Sequence, residues 1–177
     1  MKKNGFTFIE MLIAIVVLGI LLGTAIPSFS EYQKKLRVKS LASEVEQFMS
    51  MARSEAVLRN TPMFVHLIGL DSFGAQTNWC LLLSESSAVT GCHDHSIYLV
   101  RGQDHKYLTV RKELTSDVVE YDSINGRPVF STMGVAGYTD ILSFYQNVQQ
   151  PLMTKVHFLG RSKVCGVGGD WYGIKGC

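Results

Sequence analysis

The chain opens with a long apolar stretch. Hydrophobic and small side chains fill nearly every position from Phe6 to Ile26, and Glu10 is the charged residue inside this stretch. A helix of that length, rising 1.5 Å per residue, would extend roughly 30 Å, which is the thickness of the hydrocarbon core of a bilayer. Lys2 and Lys3 precede the stretch and favour a cytoplasmic N-terminus. The pattern therefore predicts an N-terminal transmembrane helix.

Beyond Pro27 the pattern becomes amphipathic, with apolar side chains recurring at steps of three and four residues. The members of this stripe are Phe29, Tyr32, Leu36, Leu41, Val45, Phe48, Met49, Ala52 and Ala56. Asn60-Thr61-Pro62 ends the helix, because proline disfavours helical geometry in the residue before it. We therefore predict one helix of about fifty residues that is kinked or thinned at Pro27 and buries the stripe of its second half.

The rest of the chain contains short β-prone runs separated by glycine, aspartate and serine. The predicted strands are 62–68, 78–83, 96–100, 107–111, 118–121, 128–130, 141–145, 153–159 and 162–164. Asn125-Gly126 predicts a hairpin turn between two of them. The expected fold class is α+β, with a long transmembrane-plus-amphipathic helix packed on a C-terminal antiparallel β-sheet head.

Four segments follow from these patterns. The predicted boundaries are a leader at 1–5, a transmembrane or filament-core half of the helix at 6–27, an amphipathic half at 28–60 and a β-rich head at 61–177.

The positive and negative charges of the chain nearly cancel, so its net charge creates no strong electrostatic field. The chain has 17 lysines and arginines against 15 acidic residues, a net charge of +2, and removing Lys2 and Lys3 from the 17 leaves 15 of each sign. Nucleic-acid binding would therefore require a local basic patch.

The cysteines lie at positions 80, 92, 165 and 177, behind a segment that predicts export. An even number of cysteines in an exported chain predicts disulfides formed in an oxidising compartment. Of the three possible connectivities we choose Cys80–Cys92 and Cys165–Cys177, which join neighbours in sequence; the other two remain open.

Metal binding and catalysis are less well supported. Cys92-His93-Asp94-His95 and Cys80 contain the ligand types that zinc prefers, but adjacent ligands rarely converge on one ion, and disulfides explain the cysteines more simply. Asp104, His105 and Ser162 are the residue types of a catalytic triad, yet no nucleophile elbow, phosphate loop or dinucleotide motif is present in the sequence. We predict a non-enzymatic protein without a metal or cofactor.

Gly5-Phe6-Thr7-Phe8-Ile9-Glu10, followed by uncharged residues to Ile26, resembles the type III (prepilin) signal of type IV pilins. The resemblance implies that a prepilin peptidase cleaves between Gly5 and Phe6 and methylates the Phe6 amine. Glu10 would then pair with the N-terminal amine of an adjacent subunit, and Pro27 matches the usual helix kink of the family. Such pairing makes the desolvation of both charges tolerable; the alternative is a carboxylate that reaches to the membrane interface. The implied partners are other pilin subunits, the peptidase and the inner-membrane assembly platform.

Two further segments are similar to the GspH/FimT group of minor pilins and pseudopilins. They are the helical segment Met51–Asn60 before an apolar strand, and Gly160–Cys165, which resembles the glycine-arginine motif of FimT-like members. The resemblance implies a minor type IV pilin of a tip or priming complex. The alternatives are a DNA-binding receptor of a competence pilus and a pseudopilin of type II secretion. In each case the subunit would sit in the bacterial inner membrane with a periplasmic head before it enters a periplasmic or extracellular filament.

The same resemblance points to DNA contact near the C-terminus at Arg161 and Lys163. Lys175 and the aromatic Trp171 and Tyr172 lie in the same stretch, and cations beside an exposed aromatic ring suit contact with a nucleic acid. Cations bind phosphates and aromatic rings stack on bases. The family usually has arginine where Lys163 stands, and lysine lacks bidentate geometry. The alternative is that these charges protect an edge strand from pairing.

Overall fold

The structure, a computed structural model, describes residues 6–92, 96–130, 137–146 and 150–177, without the side chains of 24–28. The chain divides into two compact units, Met1–Leu36 and Arg37–Cys177, which we describe separately.

The first unit contains the beginning of helix α1 (Phe8–Arg59). Thr7 caps the helix, because its Oγ1 accepts a hydrogen bond of 3.4 Å from the backbone nitrogen of Glu10. The Lys34 ammonium lies 2.7 Å from Glu31 Oε1, and this hydrogen bond and charge lower the pKa of the Glu31 carboxyl. The kink predicted at Pro27 falls within residues 24–28, whose side chains lie outside the described part.

Membrane crossing needs both helix length and high hydropathy. Among the residues that the structure describes, no helix combines the two to the extent that crossing a bilayer requires.

In the second unit, α1 buries the part of the predicted apolar stripe that runs from Leu41 to Ala56, whereas its first members, Phe29, Tyr32 and Leu36 of the first unit, are exposed. The buried helix residues are Val38, Leu41, Ala42, Val45, Phe48, Met49, Ala52 and Ala56. The helix ends one residue before Asn60, which takes a left-handed conformation with φ of 51°. The nitrogens of Asn60 and Thr61 donate to the carbonyls of Val57 and Ala56, so the helix end is closed by its own backbone.

Nine strands and a 3₁₀ turn (η1, Gly102–His105) follow the helix within the described residues. The strands are β1 (Met63–Ile68), β2 (Cys80–Ser84), β3 (Tyr98–Arg101), β4 (Thr109–Lys112), β5 (Val118–Tyr121), β6 (Pro128–Val129), β7 (Tyr138–Tyr145), β8 (Leu152–His157) and β9 (Ser162–Gly166). Each predicted run overlaps one of them, and every pairing between them is antiparallel.

The head contains two sheets rather than the one that we expected. The first has the strand order β3-β2-β1-β5-β6, and the second has the order β4-β7-β8-β9. Strand β4 follows β3 in sequence but pairs with β7, with Val110 opposite Phe144. The pattern of a short strand shows which face is apolar but not which strand lies beside it.

One apolar core joins α1 to both sheets. Residues of β1, β5 and β7 pack in the same cluster as Phe48 and Met49 of the helix. Along β1, Met63, Val65 and Leu67 alternate into this core, as the two-residue period of a strand requires. Residues 37–59 of α1 and the two sheets therefore fold as one body within the second unit.

Two disulfides link Cys80 to Cys92 and Cys165 to Cys177, which are the pairs chosen from the sequence. The second ties the C-terminal residue to β9. Beside it, the nitrogen of Cys177 donates to the Gly166 carbonyl at 2.9 Å.

Candidate functional site

A groove of about 620 Å³ lies between the last turns of α1 and the turn that connects β8 to β9. We call it the Arg53 groove. Its lining residues are Ser50, Arg53, Ser54, Val57 and Leu58 of α1, and Gly160, Arg161 and Ser162 of the turn and of β9.

The β8–β9 turn is fixed by its own backbone and by a contact to the helix. The nitrogen of His157 donates to the Arg161 carbonyl at 2.7 Å, and the nitrogen of Gly160 donates to the His157 carbonyl at 2.7 Å. Ser162 Oγ donates to the Glu46 carbonyl at 3.1 Å and lies 2.9 Å from Ser50 Oγ. The start of β9 is therefore attached to the helix at the wall of the groove. Partial burial next to this wall raises the pKa of the Glu46 carboxyl.

Two glycines hold the aliphatic stem of Arg53. A Cβ added to Gly126 would come within 2.7 Å of Arg53 Cγ, and one added to Gly160 would come within 2.9 Å of Arg53 Cδ. Both glycines have positive φ, 60° and 81°. The Arg53 stem thus occupies the space that a Cβ at either glycine would need. This packing restricts the conformations open to the guanidinium.

The Arg53 charge also acts on the core beneath it. Tyr121 is fully buried, and burial raises the pKa of its hydroxyl, an effect that the positive charge of Arg53 partly opposes. The Tyr121 hydroxyl points to Met49 Sδ at 3.7 Å.

The groove carries unneutralised positive charge. Among the residues that the structure describes, no acidic side chain lines it. Within the described ranges, Arg53 and Arg161 belong to none of the ion pairs. Arg59, on the same helix, differs: its guanidinium bonds to Glu55 at 2.6 Å and to Glu85 at 3.1 Å. The arrangement is suited to an external anion.

The three cations predicted for DNA contact do not share one position. Arg161 is exposed and lines the Arg53 groove. The Lys163 ammonium lies 4.3 Å from the centre of the Tyr138 ring, which is a cation–π contact. Lys175 is exposed at the other end of β9, where its carbonyl accepts from the Gly166 nitrogen at 2.9 Å. At about 3.3 Å per residue, the backbones of Arg161 and Lys175 are separated by roughly 15 Å.

The aromatic neighbours expected to be exposed are partly buried. The Trp171 indole donates to the Val167 carbonyl at 2.8 Å, and the Tyr172 hydroxyl donates to the Gln150 carbonyl at 3.1 Å. Both rings pack against the core. They close the C-terminal loop over the sheet because their polar atoms find partners there, so the expectation of an exposed stacking surface is corrected.

The residues predicted for processing and assembly lie at the start of the chain. Gly5 is outside the described residues, as is the side chain of Pro27. Phe6 is exposed, and Glu10 is an exposed carboxylate in the first turn of α1. A negative charge is favourable at this end of a helix.

The alternative chemistries find little support in the geometry. Cys80 and Cys92 are bonded to each other, so neither thiolate is available to a metal. The described residues contain no group of His, Cys, Asp and Glu that could hold an ion, and residues 93–95 lie outside them. His105 Nε2 faces Glu44 Oε2 at 3.1 Å, while Ser162 faces Ser50. These contacts do not bring a triad together.

The sequence prediction included Arg161 but missed Arg53. Arg53 is one of several charged residues on the exposed side of an amphipathic helix, so its spacing carries no signal. The glycines that hold it, at 126 and 160, are distant in sequence from it and from each other. Only the fold brings the three together.

Comparison with protein families gives two matches. Residues 1–26 match the prokaryotic N-terminal methylation motif, and residues 41–148 match the type II transport protein GspH. The second match includes the α1 side of the Arg53 groove and ends before the β8–β9 turn.

Two curated relatives are fimbrial proteins of Pseudomonas aeruginosa. One is 28% identical over 102 residues, covering 58% of this chain, and the other is 36% identical over 52 residues, covering 29% of it. The matched stretches span 62% and 34% of the length of these relatives.

Two crystal forms of the type IV minor pilin FimU of Pseudomonas aeruginosa have a similar fold. The TM-scores are 0.52 and 0.56 at 16% identity, covering 71% and 75% of this chain and 90% and 91% of the FimU chains. At this identity the likeness establishes the fold: a long N-terminal helix with an antiparallel β-rich head.

Proposed function

Because this chain belongs to the GspH family of type II transport proteins, we propose that it is a minor type IV pilin whose prepilin is cut between Gly5 and Phe6 and built into a filament. The observation that carries the proposal is the N-terminal methylation motif at residues 1–26 on a chain with a pilin-like fold. Its partners in this proposal are other pilin subunits, the prepilin peptidase and the inner-membrane assembly platform. Its position is a tip or priming complex.

The proposed mechanism is assembly rather than chemistry. The apolar segment 6–27 anchors the subunit in the inner membrane and then moves into the filament core, where it packs on the same segment of neighbours. Glu10 pairs with the amine of Phe6 in an adjacent subunit, which fixes the register of the two helices. Contacts of this head-to-tail kind do not close, so they generate a filament.

Deletion of the gene tests the proposal. We expect loss or shortening of surface pili, with secretion of exoproteins intact, and recovery of pili when the gene is restored. The opposite result, normal pili with a secretion defect, would assign the chain to a type II secretion pseudopilus. The description of its family favours that second candidate.

A DNA-receptor function is the third candidate, and the exposed, unpaired state of Arg161 within the described residues favours it. The test is binding of duplex DNA by the detergent-solubilised chain at several salt concentrations. Affinity that falls steeply with salt, and drops in an Arg161→Ala, Lys163→Ala double variant, would support phosphate contact. Unchanged binding in that variant, or none at low salt, would remove this candidate.

A further inference from the structure

We infer that the Arg53 groove is a docking site for a neighbouring filament subunit, which contributes a carboxylate beside an aliphatic side chain. The carboxylate would bind the Arg53 guanidinium under the added positive charge of Arg161, and the aliphatic side chain would pack on Val57 and Leu58. The inference rests on the proposed function and names a contact surface of the head within it.

Preorganisation of Arg53 is the first argument. Gly126 and Gly160 take left-handed conformations and leave no room for a Cβ, since the Arg53 stem packs on both. Fixing a long side chain costs conformational entropy, and a contact made by the fixed head group offsets that cost. Among the described residues Arg53 has no ion pair, so its guanidinium is open to a carboxylate supplied by a partner.

Arg59 provides an internal comparison. It lies less than two turns further along the same helix, and the chain supplies two carboxylates for it, Glu55 and Glu85. In the described part of the chain, the groove lining contains no carboxylate for Arg53. A partner carboxylate would give Arg53 the kind of ion pair that the chain itself supplies for Arg59.

The apolar side of the groove selects the class of partner. Val57 and Leu58 are 45% and 79% exposed, and Ile124, in the turn whose Gly126 packs on Val57, is 76% exposed. These aliphatic groups adjoin a guanidinium, which is the combination found at the centre and rim of protein interfaces. Arginine binds carboxylates through two parallel hydrogen bonds, so an acidic residue with an aliphatic neighbour fits both features.

A nucleic acid fits the groove less well. Single-stranded nucleic acids stack on aromatic side chains, and none of the described residues that line this groove is aromatic. The exposed aliphatic groups would remain in water beside a phosphate backbone. We therefore argue for a protein partner and treat a nucleic acid as an outcome of the test.

The test uses purified filaments that contain the full chain with the substitution Arg53→Lys. The introduced amine can be coupled by a carbodiimide to any carboxylate in direct contact with it. We expect a covalent adduct to a different filament subunit, and mass spectrometry should place the linked Asp or Glu next to an aliphatic residue. The Arg53→Met variant, which keeps an unbranched stem but has no amine at this position, should give no such adduct.

A second measurement gives the energetic consequence. We expect Arg53→Met to reduce the amount of the chain recovered in filaments about tenfold, because it removes a charge-assisted hydrogen bond to the partner. Arg59→Met is the matched control, because it removes a charge from the same helix outside the groove, and its recovery should stay close to wild type. Equal thermal stability of the two variants should confirm that the head remains folded.

Three outcomes would contradict the inference. Filaments that contain the chain but yield no adduct, or only a link to a carboxylate of the same molecule, would overturn this inference and leave the proposed function standing. Loss of DNA affinity in Arg53→Met without an adduct would assign the groove to nucleic acid. Absence of the wild-type chain from all filaments would overturn the proposed function and this inference with it.

Discussion

Gly160 is the residue on which the geometry of the groove depends most directly. Its φ is +81°, and an added Cβ would lie 2.4 Å from the Gly126 carbonyl oxygen as well as 2.9 Å from Arg53 Cδ. The carbonyl belongs to the backbone of another turn and has little room to move. An alanine here would therefore meet both an unfavourable backbone conformation and a steric clash.

We expect Gly160→Ala to lower the free energy of unfolding of the detergent-solubilised chain by about 2–4 kcal/mol in urea denaturation. Gly168→Ala is the matched control, since Gly168 has φ of +75° but nothing within 4 Å of an added Cβ. It should cost only the left-handed backbone term, about 1 kcal/mol. Equal losses in the two variants would show that the contact between the two turns does not constrain the fold.

The Asp122 carboxylate makes the stability of the β5–β6 turn depend on pH. Hydrogen bonds from the backbone nitrogens of Asn125 and Ile124 hold the pKa of its carboxyl below the ordinary value. A carboxyl with a lowered folded-state pKa contributes stability above its unfolded pKa, about 3.9, and this contribution is lost as pH falls through the folded pKa.

Asp122→Ala should therefore be less stable than wild type at pH 7, and the two chains should converge below pH 4. The measurement is the unfolding free energy of both chains across pH 2–7. Glu120→Ala, which removes a carboxylate from the adjacent strand, is measured beside them as the control for the loss of a negative charge. A constant difference across the range would mean that the carboxylate charge does not stabilise the turn.

At the scale of elements, the strands were predictable and the sheets were not. Short β-prone runs between turn residues located β1 to β9, since those signals are local. The β5–β6 hairpin was also located, but the expected two-residue turn is a longer connection, 122–127, in which Asp122 caps the loop. Whether β4 joins β3 or β7 depends on contacts between distant residues, which no local pattern encodes.

The disulfide of the last strand connects an element to the end of the chain. Cys165–Cys177 fixes the loop containing Trp171 over the second sheet. Replacing both cysteines by serine should lower the unfolding free energy by about 3 kcal/mol, the chain-entropy value for a loop of this length. A second comparison uses a background in which Cys80 and Cys92 are both serine. In that background the chain without Cys165 and Cys177 should have the same unfolding free energy as the chain that keeps them when the latter is measured under reducing conditions. A loss below 1 kcal/mol would indicate that the loop is held by its other contacts.

At the scale of the whole molecule, the N-terminal residues could be predicted from the sequence, whereas most of the groove could not. The N-terminal features follow from a contiguous motif, Gly5 to Glu10 before an apolar run, which a sequence shows directly. The groove is lined by α1, the β8–β9 turn and the start of β9, and its Arg53 also packs on Gly126 of the β5–β6 turn. Sequence analysis found its Arg161 through a local motif and could not find Arg53, because nothing local distinguishes this arginine from the other charges of the helix.

The N-terminal carboxylate offers the sharpest test of assembly by the whole chain. In the proposed function, Glu10 has a role only when two subunits meet, so Glu10→Ala should leave processing and membrane insertion unchanged and reduce the chain in sheared filaments at least tenfold. Immunoblots of the membrane and filament fractions measure both quantities. Glu31→Ala is the control, since its carboxylate lies on the same helix but already pairs with Lys34; its incorporation should be normal. If Glu10→Ala enters filaments as wild type does, then register is set by the apolar helix surfaces alone, and no pairing between carboxylate and amine is needed.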